Sequence, residues 1–191
     1  MSSIQKILNI SSESLSSDLN MYRELDDFLL KKNGFYTFES AFHFFSSKEI
    51  KSVNNFLLKE TIYKTKGKLY FSEDLFGNLF YLEDNNILFL NLETNKSEFI
   101  AHSLSQWAIE LLKDYNYLSG YSLAHDWQVT HRKIFVNERL KPKKNFIFGG
   151  EYNISNLMTI DRFENLKFNS ELIQQIENAQ DGDKIKINIK G

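Results

Sequence analysis

The chain has 191 residues, enough for one domain with a sizeable core, and its 42% hydrophobic and 15% aromatic content belongs to a packed globular protein. A net charge of −2 excludes the basic balance of a general nucleic-acid binder, and the lack of cysteine excludes disulfides, thiolate chemistry and cysteine-ligated metal. No apolar run reaches the roughly 20 residues of a membrane span. The opening MSSIQKILNISSESLSS lacks the basic-then-apolar order of a signal peptide, so a cytoplasmic location is expected.

Residues 1–16 are polar and serine-rich apart from Ile4, Ile7 and Leu8, and read as a flexible N-terminal arm before a single domain over 17–191. A helix is expected to open near Asp18, with Leu19, Tyr22, Leu25 and Leu29 at helical spacing, and to close at Asn33-Gly34. FESAFHFF (38–45) and Lys48 to Leu58 read as helical. The segments KLYFSED, NLFYLED, NILFLNLET and SEFIAHS then read as strands, with turns at Gly77-Asn78, Asp84-Asn85-Asn86 and Thr94-Asn95, which is the pattern of an antiparallel meander. Its apolar runs predict cover on both faces over much of the sheet.

Ser103 followed by Gln106 has the form of a capping box. Leu104, Trp107, Ala108, Leu111, Leu112 and Tyr115 then give the clearest helical periodicity in the chain. A further helix is expected to carry Tyr121, Ala124 and Trp127, and the single proline, Pro142, sits in what reads as a basic loop, LKPKK. Asn169 or Ser170 is a candidate cap for a helix through Ile176, and Asp181-Gly182 leads into DKIKINIK, which alternates as a half-buried strand does. The order predicts a single α+β domain, an antiparallel or mixed sheet flanked by helices.

The chemistry offers few candidates. Glu73 and Asp74 are adjacent, so on a strand they face opposite ways, whereas paired acid–base catalysis needs carboxylates converging within roughly 5–10 Å. The four histidines, at 43, 102, 125 and 131, show no metal-binding spacing and read as surface or capping residues. Gly149-Gly150 lacks the Lys-Ser/Thr of a phosphate loop and reads as a turn. The cluster His131, Arg132, Lys133, Arg139, Lys141, Lys143 and Lys144 is the one basic concentration, and reads as a solvated charged loop in preference to a phosphate or RNA site. Trp107 reads as core. No catalytic, cofactor or metal residue is assigned.

Four segments resemble a known family. FSEDLFGNLF with NLETNKSEFIAHSLSQWAIELL is similar to the FAED-x-FG, D-x-ETG-x and SL-x-x-W series of the SUKH superfamily, in its bacterial Smi/Knr-like branch. ERLKPKKNFIFGGEYNISNL resembles that group's RL-x-PK-x-PF-x-x-GGEY-x-x-x-NL segment, LIQQIENAQDGDKIKINI its A-x-QI-x-x-LPDG-x-x-I ending, and KKNGFYTFESAFHFF its NGF-x-x-F-x-x-AL opening. The resemblance runs from about Tyr22 to the C-terminus. It departs at Asn95, which stands for a Gly, and at Asn145 and Gln180, which stand for Pro.

The resemblance implies a SUKH-like fold and a non-enzymatic binding module, since bacterial members are regarded as immunity proteins of polymorphic toxin systems. It implies a cognate toxin as partner, often a basic nuclease, with no membrane and no direct nucleic acid. Such a toxin holds phosphates in a cationic cleft, which carboxylates and aromatics can fill. Glu73, Asp74, Phe76, Glu83 and Asp84 are the residues expected to make that contact. An intracellular scaffold and a hydrolase with an unrecognised site remain the alternatives.

Overall fold

Aromatic residues at alternating positions build the centre of the molecule. The structure, a computed structural model, describes residues 1–17 and 22–179. Six antiparallel strands follow one another in a meander: β1 (Phe35–Thr37), β2 (Phe42–Phe44), β3 (Leu69–Glu73), β4 (Leu79–Glu83), β5 (Asn86–Asn91) and β6 (Lys96–Ala101). Phe42 and Phe44 of β2, Phe71 of β3 and Phe80 of β4 converge on the fully buried Trp107, whose ring lies 5.4–6.4 Å from each of theirs. Trp107 belongs to α4 (Leu104–Lys113), which is capped by Ser103 accepting from the Gln106 N–H. Its periodic face thus closes the sheet.

The hairpin turns use the residues that tolerate a left-handed backbone. Gly77 between β3 and β4, Asp84 and Asn85 between β4 and β5, and Asn95 between β5 and β6 all have positive φ. β6 is the exposed edge, and its Lys96 and Glu98 discourage pairing with another strand.

Five expectations are corrected. Residues 1–16 are not a flexible arm throughout: α1 (Ser3–Asn9) is capped by Ser2 and buries Ile4, Ile7 and Leu8 against α4. FESAFHFF is not a helix, because Phe38, Glu39 and Ser40 turn with positive φ and Phe42-His43-Phe44 then forms β2, its side chains alternating between two covered faces of the sheet. The helix through Leu29 is short: a 3-10 turn (Arg23–Leu25) leads into α2 (Asp26–Leu29), while Asp18 to Met21 lie outside the described residues. Lys48 to Leu58 does lie in a helix, α3 (Ser47–Glu60), which opens with a capping box of Ser46 and Glu49.

Beyond α4 come α5 (Tyr115–Ser119) and α6 (Tyr121–Thr130), separated by the left-handed Gly120. The LKPKK segment is the fourth correction. Its first half is strand, since β7 (Glu138–Pro142) pairs antiparallel with β8 (Leu157–Asp161). Asp161 then caps α7 (Arg162–Asn178), so Asn169 and Ser170 lie inside that helix rather than at its start. The expected strand DKIKINIK lies outside the described residues. The architecture is one α+β domain, with the β7–β8 pair and α7 packed beside the end of β3.

Candidate functional site

The FSEDLFGN stretch ends β3 and turns into β4. As alternation requires, its two carboxylates part company, but both go inward: Glu73 is fully buried and Asp74 nearly so. Neither presents charge to a partner, which corrects the expectation that they form a contact surface. The reason lies in residues far along the chain.

Glu73 Oε1 accepts from Arg162 Nε at 2.7 Å, pairs with Arg139 Nη2 at 2.5 Å, and has His43 Nδ1 at 3.1 Å. Arg162 also reaches Glu49 at 3.3 Å, and His43 Nε2 lies 3.4 Å from the same carboxylate. Two carboxylates and two guanidiniums balance around one imidazole. Burial alone would raise the Glu73 carboxyl, but Arg139 and Arg162 override it and hold it far below the usual range. Glu49 is likewise held down to about 2, its partial burial outweighed by His43 and Arg162. His43 is therefore an interior residue, not a surface or capping one. This network pins β2, β3, β7 and α7 together.

Asp74 performs a different task. Its Oδ1 accepts from the Phe76 and Asn78 N–H groups, each at 2.8 Å, and its Oδ2 from Asn78 Nδ2 at 2.8 Å. The side chain shapes the turn. Burial pushes the carboxyl up to about 7 in spite of those hydrogen bonds.

That turn borders a cavity of about 510 Å³, within the size range of small-ligand sites. Phe76, Phe89, Phe146 and Phe168 line it, with Asp74, Glu93 and Lys141 as its charged groups and Tyr117 and Tyr152 at its mouth. Tyr152 stacks on Phe146 at 3.8 Å, and Phe76 meets Phe146 edge-on at 5.2 Å. Glu93, raised by burial, accepts from Asn145 Nδ2 and the Ile147 N–H, both at 3.0 Å.

Gly149 and Gly150 make this wall possible. Gly149 is left-handed, and a Cβ on Gly150 would fall 1.9 Å from the Lys144 carbonyl oxygen. The turn expected there is present.

Of the expected contact residues, the structure brings only Phe76 and Asp74 to the cavity. Glu83 and Asp84 sit at the other end of β4, about 13 Å along the strand, where Glu83 lies 3.9 Å from Lys68. The basic cluster is dispersed too: Arg139 and Lys141 are buried, and Arg132 makes a bidentate pair with Glu138 at 2.7 and 2.9 Å. Among the described residues, no three His, Asp or Glu side chains converge as a metal site requires.

Comparison with known proteins gives the fold and no more. No family model matches the chain, and no curated protein matches it. Among solved structures, that of Atu4351 from Agrobacterium tumefaciens is similar: it shares 12% identity over 86% of each chain, with a TM-score of 0.59. It supports the architecture.

Sequence reasoning missed His43, Arg139, Arg162, Glu93 and Lys141. The alternation Phe-His-Phe was a usable sign for His43, because flanking residues that face a core put the middle one on the opposite face. Nothing local marks Arg162 as a partner of Glu73, 89 positions away.

Proposed function

We propose that this protein is a non-enzymatic binding module of SUKH type, an immunity protein that holds a toxin made beside it in the cytoplasm, with the toxin seated at the mouth of the aromatic cavity. The observation that carries the reading is the pair Tyr117 and Tyr152, 63% and 67% exposed at that mouth. Large, stiff amphipathic rings of this kind anchor protein interfaces. Exposed carboxylates accompany them: Glu98 accepts from the Tyr117 hydroxyl at 3.3 Å, Asp114 caps the Tyr117 helix, and Glu151 adjoins Tyr152. A cationic surface would be drawn to this rim, which takes the place first expected of Glu73 and Asp74.

The motif resemblance points the same way. Two of its segments, FSEDLFGNLF and the one ending in GGEYNISNL, supply Phe76, Phe146 and Tyr152 to the cavity.

The test is calorimetry against the protein encoded by the neighbouring gene, using Tyr117→Ala, Tyr152→Ala together. Loss of two anchors should weaken binding about 100-fold or more while the melting temperature stays near wild type. Wild-type association should also slow as salt rises. A folded double variant with undiminished affinity, or a neighbour that does not bind at all, refutes the proposal.

A further inference from the structure

The cavity has an inner part that the proposed rim contact leaves unexplained. Its polar groups divide into those already satisfied and those not. Asp74 and Glu93 spend both carboxylate oxygens on hydrogen bonds that hold their own loops. Lys141 is different. The residue is only 4% exposed and lines the cavity, and among the described residues its ammonium makes no hydrogen bond or ion pair. Its one compensation is the face of Phe168, 3.8 Å from Nζ.

A second demand lies beside it. Asn169, one residue on from Phe168 in α7, also lines the cavity and uses its Nδ2 on Asn165, which leaves its buried Oδ1 without a donor. Buried polar groups are almost always paired, and a buried cation without an anion is costly. Burial alone, with no neighbouring charge, pulls the Lys141 amine below the ordinary lysine range. Its ammonium opens on the cavity, over an aromatic floor.

We propose that the inner cavity binds a small aromatic carboxylate, its anion on Lys141 Nζ, its ring among Phe76, Phe89 and Phe146, and a ligand N–H or O–H donated to Asn169 Oδ1. The cavity volume suits a molecule of one or two rings. The charge requirement follows from Lys141 as the sole unpaired ion lining the cavity among the described residues, and the ring requirement from the aromatic lining. The site stands apart from the toxin reading, and its test uses no protein partner.

Indole-2-carboxylate and 4-hydroxybenzoate, each with a ring N–H or O–H to donate, serve as probes, with indole-2-carboxamide and 4-hydroxybenzamide as their uncharged controls. Binding is followed by ligand-detected NMR and titration calorimetry on wild type and on Lys141→Met, which keeps the length of the side chain. The carboxylates should bind wild type about tenfold or more tighter than the amides, and Lys141→Met should erase that preference. Equal binding of acid and amide to wild type overturns the proposal, as does an unchanged preference in a folded Lys141→Met protein. Failure of all four probes to bind at millimolar concentration overturns it as well. Should Lys141→Met not fold, the acid–amide comparison on wild type decides alone. Inorganic phosphate, added as competitor, should displace indole-2-carboxylate poorly. Displacement at equal concentration would show an anion site in which the rings take no part, and would overturn the proposal too.

Discussion

Replacing Glu73 by glutamine keeps the shape of the side chain and removes the charge on which two arginines depend. Glu73 Oε1 lies 2.5 Å from Arg139 and 2.7 Å from Arg162, with all three side chains shut off from solvent. Arg162 would retain Glu49 at 3.3 Å. Among the described residues, Arg139 would keep only the Glu138 carbonyl at 2.7 Å and the face of Tyr36 at 5.3 Å. Its charge would then be buried without a carboxylate. Breaking a buried pair from one side costs about 3–5 kcal/mol, and a charge pair about 4 Å apart at an effective dielectric near 20 is worth about 4 kcal/mol. The two estimates agree in size.

Urea unfolding followed by far-ultraviolet dichroism should therefore show a loss of about 3–5 kcal/mol, with a fall in melting temperature on the order of 10 °C. The cause is an orphaned cation, so adding Arg139→Met to Glu73→Gln should cost much less than Arg139→Met alone. A loss below about 1 kcal/mol in the single variant, or simple additivity in the double, would refute the buried network as the fastening of β3 to β7 and α7.

Three further outcomes are expected. Trp107→Ala should cost about 3–5 kcal/mol in the same urea assay, whereas Trp107→Phe should cost less, since the indole N–H has no partner to lose. Burial pushes the Asp74 carboxyl up to about 7 from an ordinary 3.8, so its contribution to stability is complete below about 4 and is lost as pH rises to about 7. The stability difference between wild type and Asp74→Asn should shrink from pH 4 to pH 8, and a difference independent of pH would count against a raised carboxyl. Gly150→Ala should displace the loop at Lys144, because the new Cβ would meet a carbonyl oxygen at 1.9 Å. Amide NMR shifts confined to residue 150 itself would contradict that close approach.

The meander was legible in the sequence because hairpins are local. Asp84, Asn85 and Asn95 can turn the chain wherever it lies, and the runs between them are too apolar to stay in water. The helix of Trp107 was legible for the same reason: its period and its Ser103 cap are contained in a dozen residues. The fold class followed from the order of these pieces. Where local signals competed, the tertiary structure decided. FESAFHFF reads as helix, and becomes strand only because Phe42 and Phe44 have Trp107 to pack on and His43 has Glu73 to meet. Ile4, Ile7 and Leu8 read as an arm until α4 offers them a face.

Burial of charge was the least legible of all. Glu73-Asp74 is as good a surface pair as an interior one when read along the chain. What puts Glu73 inside is Arg139, Arg162 and His43 arriving from β7, α7 and β2, a coincidence in space that no spacing in sequence encodes. The cavity is of the same kind, for its walls come from the Asp74 turn, the loop after β7 and the middle of α7. Sequence determines what each segment can form alone. Only packing decides which charges find partners and which, like Lys141 among the described residues, face a cavity.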